Sequence, residues 1–229
     1  MIYVRKSNER GLSNAGWLKS FHTFSFGEYY DTGFMGLGHL RVINEDTVQA
    51  AQGFGTHPHR DMEIISYVIE GELAHKDSLG TGSIIRPGEI QLMSAGTGVS
   101  HSEFNHSKTS PLHFLQIWII PNQTGLKPGY QQIGIQKKPN QLVLIGSNEG
   151  RDGSIVIHQA VDLYVAYLMK GQTIGHGFKE GRQGWLQLIK GEVMLNGESL
   201  VAGDGAAVVD VDQIKVNASA DAEMLLFDL

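Results

Sequence analysis

Two glycine-framed stretches decide how this chain is read: Gly53-Phe-Gly55-Thr-His57-Pro58-His59-Arg-Asp-Met-Glu63 and Gly96-Thr-Gly98-Val-Ser-His101-Ser-Glu103-Phe-Asn105. In an extended strand, side chains two residues apart share a face, so His57 projects with His59 and His101 with Glu103. If the two strands face each other, three imidazoles and one carboxylate converge, and that is metal-ligand chemistry. Either prong alone says less. Two imidazoles on a wet strand face need no metal, and a lone His-Ser-Glu suits a turn or a surface ion pair. The matched frames separate the pair from these simpler readings. The first prong leads into an apolar run ending at Gly71, and the second follows Pro87-Gly88-Glu89 and an apolar run.

This paired pattern resembles the two motifs of the cupin superfamily. The wording HPHRDMEIISYVIEGELAHKDSLG (57–80), IRPGEIQLMSAGTGVSHSE (85–103) and FHTFSFGEYYD (21–31) is similar to the pirin family, in particular its bacterial members with quercetin 2,3-dioxygenase activity. The resemblance covers nearly the whole chain and is strongest from Trp17 to Pro121. It implies an all-β protein of two tandem cupin barrels (double-stranded β-helix, jelly-roll) packed face to face. It also implies one divalent ion, Fe(II) first, with Ni, Cu, Mn, Co or Zn compatible with the same ligands. The implied reaction opens the oxygenated ring of a flavonol such as quercetin with O2 and releases carbon monoxide. Glu103, as well as being a ligand, is the candidate base for the flavonol 3-hydroxyl.

The general cupin pattern takes its carboxylate from the first motif, here Glu63, whereas the pirin pattern takes it from the second, at Glu103. On a regular strand Glu63 shares the face of His59 but lies ~13 Å further along. The expected ligand set is therefore His57, His59, His101 and Glu103. Glu63 is assigned to orienting an imidazole N–H behind the ligands.

Composition narrows the alternatives. A chain of 229 residues with 29 glycines and 18% charged residues suits a turn-rich globular β protein. A net charge of −6 offers no basic field for nucleic acid. With no cysteine, disulfides, thiolate sites and iron–sulfur clusters are excluded and only nitrogen and oxygen ligands remain. Residues 1–10 carry charges where a signal peptide needs its apolar core, and no run approaches the roughly 18 apolar residues of a membrane span. A cytoplasmic location without membrane contact is expected.

Along the chain, residues 1–125 are expected to form the metal-binding barrel, 126–141 a linker, and 142–229 a degenerate barrel without metal. Residues 2–5 read as a short strand. The aromatics between Trp17 and Tyr30 should pack over a barrel end or between domains, with His22 hydrogen-bonded among them. Gly38–Ile43 reads as a strand, Asn44-Glu45-Asp46 as a hairpin turn and Thr47–Ala51 as the return. Gly53 and Gly55 should permit the backbone approach that delivers His57, and Pro58 suits a strand edge. His75 reads as an outward strand residue, and Gln116 as hydrogen-bonding a loop. Gly184–Glu192 parallels Ile64–Glu72, and Val201–Asp204 parallels Arg86–Glu89. Counting from Gly191 and Gly203 puts His176 and Phe178 where the first copy has His57 and His59, and Val216 and Ala218 where it has His101 and Glu103. Two barrels in one chain predict a monomer whose partners are a flavonol-like small molecule and O2. The rival readings are a metal-dependent regulator acting through protein contacts, and another cupin reaction on an enediol-like compound.

Overall fold

The computed structural model describes residues 1–229, and apart from two short 3-10 turns its regular structure is all strand. The first strands are β1 (Ile2–Arg5), β2 (Gly11–Asn14), β3 (Leu18–His22), β4 (Leu40–Val48), β5 (Gly53–His59) and β6 (Glu63–Glu70). They are followed by β7 (Leu73–Asp77), β8 (Gly82–Ile85), β9 (Glu89–Ser94), β10 (Val99–Asn105), β11 (Leu112–Ile119) and β12 (Gly129–Gly134). The remainder holds β13 (Leu142–Ser147), β14 (Ile155–Val156), β15 (Asp162–Leu168), β16 (Thr173–Gly177) and β17 (Gly184–Lys190). It ends with β18 (Glu192–Leu195), β19 (Glu198–Val201), β20 (Gly205–Val208), β21 (Gln213–Ala218) and β22 (Ala222–Asp228). No helix is long and apolar enough to cross a membrane.

Two compact units result, one of residues 11–135 with 157–159, the other of 1–10, 136–156 and 160–229. Each is a two-sheet cupin. The first has a seven-stranded sheet in the order β12-β9-β6-β11-β4-β3-β2 and a four-stranded sheet β5-β10-β7-β8. The second repeats the plan as β1-β20-β17-β22-β15-β13-β14 and β16-β21-β18-β19. The expected repeat is thus visible in strand order, with β9-β6-β11-β4 matched by β20-β17-β22-β15.

Boundaries differ from those expected from composition. β1 pairs with β20, so the first ten residues complete the C-terminal unit. β12, inside the stretch read as linker, pairs with β9 and closes the edge of the N-terminal sheet. The hairpin expected at Asn44-Glu45-Asp46 does not exist. β4 runs unbroken through it between β3 and β11, because two neighbouring strands satisfy its backbone and override the turn preference of Asn and Asp.

Burial follows the period of two. Along β4, Leu40, Val42, Asn44, Asp46 and Val48 face inward and are each no more than 3% exposed. In the N-terminal unit, Val68, Leu73, Ile85, Leu112 and Phe114 form one apolar cluster, and Ile64, Met93, Ala95 and Val99 another. The C-terminal unit is filled by one larger cluster including Leu186, Leu188, Ile214, Val216, Met224 and Leu226. It leaves only about 10 Å³ beside His176, whereas the N-terminal unit keeps a cavity of about 340 Å³.

Candidate metal centre

β5 is the edge strand of its sheet, where Pro58 costs no ladder hydrogen bond. It pairs with β10 so that His57 lies opposite His101 and His59 opposite Val99. A register shift between His101 and Glu103 sets Glu103 against Phe54. The close approach depends on Gly53, where a Cβ would stand 2.3 Å from the Glu103 carbonyl oxygen. Gly55 has open space instead, so only one of the two glycines plays the expected part.

The three imidazoles do come together. Ring centroids are 4.8 Å apart for His57 and His59, 4.5 Å for His57 and His101, and 4.9 Å for His59 and His101. Nδ1 of His57 lies 2.7 Å from the Gly55 carbonyl oxygen, and donating there leaves its Nε2 with a lone pair. Nε2 of His59 and both ring nitrogens of His101 are buried without a hydrogen-bond partner. Burial, then the charge of neighbouring His57, lowers His59 to about 4. Burial followed by His57, His59 and His75 lowers His101 to about 3. Both rings are therefore neutral at pH 7, as metal ligation requires.

Glu103 is 1% exposed and meets the three imidazoles through His101, the residue common to two overlapping groups of donors. The donor atoms of His57, His59 and His101 lie within 4.8 Å of one another, and so do those of His75, His101 and Glu103. Ser66 Oγ donates to Glu103 Oε1 at 3.1 Å, and Gln116 Nε2 donates to Oε2 at 2.6 Å. Burial pushes the Glu103 carboxyl up, against the opposing pull of His75 and of these two hydrogen bonds. Buried nitrogens left unpaired are costly, and one each from His59 and His101, with the free Nε2 of His57 and a buried carboxylate nearby, fit a divalent ion of borderline softness.

Several expected roles change. Gln116 bonds Glu103 and not a loop. His75 points inward at 3% exposure, with Nε2 3.0 Å from Asp77 Oδ2 and its ring 5.4 Å from that of His101. Glu63 is buried and does meet an imidazole, but the ring is His158, whose Nδ1 lies 3.1 Å from Oε2. His22 is hydrogen-bonded as expected, with Nδ1 2.8 Å from Asn44 Oδ1 and Nε2 2.8 Å from Ser13 Oγ, but it also lines the cavity. Around it the aromatic segment packs over the cavity, with Phe26 edge-on to Trp118 and Trp118 5.0 Å from the ring of His59. Asn44, Asp46 and Ser66 were missed as site residues. Their period-two spacing within apolar strands was the available signal.

In the C-terminal unit, His176 faces Ile214 across β16 and β21 as His57 faces His101. Its ring is 4.8 Å from Phe178, the spacing of His57 and His59. Ile214 and Val216 therefore stand where the first copy has His101 and Glu103, two residues before the count from Gly203. Nε2 of His176 is 2.8 Å from Asp228 Oδ2.

Residues 4–119 match the family described as Pirin, and residues 144–229 match the Quercetinase C-terminal cupin domain. A relative named quercetin 2,3-dioxygenase, from Escherichia coli strain K12, is 50% identical over 232 residues, covering 100% of this chain and 99% of the relative. The crystal structure of bacterial pirin YhhW from Escherichia coli in complex with nickel(II) superposes with a TM-score of 0.97 at 49% identity, over 100% of this chain and 99% of that one. Escherichia coli YhaK gives a TM-score of 0.78 at 31% identity, covering 96% and 97%. With both domains matched in order and half of all positions identical along its whole length, the chain belongs to the pirin family.

Proposed function

We propose that the N-terminal unit is a metal-dependent dioxygenase that opens the oxygenated ring of flavonols such as quercetin with O2 and releases carbon monoxide. The observation that carries this reading is that His57, His59 and Glu103 line a cavity with aromatic walls, with His101, whose ring nitrogens are unpartnered, sharing a donor group with the two histidines and another with Glu103. The name borne by the Escherichia coli relative supports the same chemistry. His57, His59 and His101 would hold the ion through ring nitrogens and Glu103 through its carboxylate, with Fe(II) as the preferred ion. Such an ion would supply Lewis acidity toward an enolate-type oxygen of the substrate.

The protein's own groups do the rest. Phe26, Phe54 and Trp118 offer faces and edges to a planar aromatic substrate, and a cavity of about 340 Å³ is of small-molecule size. Glu103, steadied by Ser66 and Gln116, accepts the proton of the 3-hydroxyl, leaving the oxygen anionic and the ring electron-rich toward O2. Both atoms of O2 enter the opened product, and one ring carbon leaves as carbon monoxide.

The test is aerobic turnover of quercetin by Fe(II)-reconstituted protein, metal-free protein and His101→Ala, following carbon monoxide and flavonol together. Carbon monoxide release that needs both metal and His101 is expected. Tight metal binding without carbon monoxide from Fe, Ni, Cu, Mn, Co or Zn forms would overturn the reading.

A further inference from the structure

Residues directly opposite each other in neighbouring strands point to the same face of a sheet. On the cavity face of the N-terminal seven-stranded sheet, His22, Asn44, Gln116 and Ser66 form one rung, and Ser20, Asp46, Phe114 and Val68 the next. The C-terminal unit repeats both rungs. Tyr164, Leu226 and Leu186 stand for Asn44, Gln116 and Ser66, and Ala166, Met224 and Leu188 for Asp46, Phe114 and Val68. Ala166 is fully buried in the apolar cluster of its unit. This architecture accepts a methyl group where Asp46 carries a carboxyl.

Asp46 is 3% exposed and lines the same cavity as His57 and Glu103. Ser20 donates a hydrogen bond to its carboxyl, yet Oδ1 is buried with no partner. Such a group destabilises the free protein, so its place calls for a role. Each Glu103 oxygen already accepts one hydrogen bond, from Ser66 or Gln116, whereas Asp46 Oδ1 accepts none. We propose that Asp46 is a specificity-determining residue whose unpartnered oxygen accepts a hydrogen bond from a substrate hydroxyl other than the 3-hydroxyl. The cavity thereby selects polyhydroxylated aromatic compounds over the same ring system lacking that hydroxyl. Burial pushes the Asp46 carboxyl up to about 7, against the Ser20 hydrogen bond and with help from the charges of Glu103 and Glu45.

This inference rests on the flavonol reading and is tested by binding, not turnover. Quercetin and 3-hydroxyflavone, the same skeleton bearing only the 3-hydroxyl, are titrated into Fe(II)-loaded wild type, Asp46→Ala and Asp46→Asn with oxygen excluded. Wild type should favour quercetin, and Asp46→Ala should weaken quercetin roughly 10-fold beyond any change for 3-hydroxyflavone, the scale of leaving a buried hydroxyl without its partner. Asp46→Asn, which keeps shape and an acceptor, should lose less and decides the matter if the alanine variant fails to fold. Equal weakening of both ligands, or no change in either, overturns the inference. Selective binding without carbon monoxide in the aerobic assay would overturn the dioxygenase reading alone. Absence of quercetin binding to wild type would overturn both.

Discussion

Gln116 Nε2 donates to Glu103 Oε2 at 2.6 Å from the strand adjacent to both β4 and β6, and the same rung position in the C-terminal unit is Leu226. The polar floor of the N-terminal cavity thus replaces what is apolar packing in its internal copy. Hydrogen bonds behind a ligand fix its orientation, so Gln116→Leu should lower metal affinity by about 10- to 100-fold. Chelator competition measures this, and unchanged metal retention would remove Gln116 from the site.

Gly53 is the position where β5 and β10 nearly touch. Gly53→Ala should force these strands apart, destabilising the unit by roughly 1–3 kcal/mol and lowering metal content, because the backbone must shift to admit a Cβ. Gly55→Ala, facing open space, should alter metal content little. Equal effects of the two substitutions in thermal melts and metal analysis would count against this account of how the prongs meet.

The metal-free protein should lose stability as pH falls. His59 and His101 have folded values of about 4 and about 3, below the ordinary histidine value of 6.5. Between these limits the unfolded chain binds protons that the folded chain refuses, so stability rises with pH up to about 6.5. Denaturant titrations of His101→Ala should show a shallower slope over that window.

Asp46 works in the opposite direction. Its folded value of about 7 exceeds the ordinary 3.8, so the folded chain holds a proton that the unfolded chain releases, and its contribution worsens as pH rises between the two values. Asp46→Asn should stabilise metal-free protein most above pH 7, by about 4 kcal/mol at most, with the gain fading toward pH 4. Differential melts at pH 5 and 8 check the sign.

His176→Ala should leave metal content and quercetin turnover unchanged. It should cost about 1 kcal/mol of stability by removing the 2.8 Å contact with Asp228, which keeps its bond from Arg182. Loss of metal in this variant would mean that the C-terminal copy takes part.

Strand periodicity and motif wording along the chain were enough for the all-β class, the tandem repeat and the family, and they brought the rings of His57, His59 and His101 together. These rest on local rules: strand periodicity puts alternate residues on one face, and glycine punctuation marks where strands turn. Tertiary structure alone decided which polar residues stand behind the ligands. Asn44, Glu45 and Asp46 favour a turn as a tripeptide, but between β3 and β11 they continue a strand and turn two polar groups into the cavity. Gln116 and His75 face inward for the same reason, since the register of β11 and β10 with their neighbours sets the face and no local preference does. The pairing of β1 with β20 and of Glu63 with His158 joins residues far apart in the chain, which spacing along the sequence does not encode.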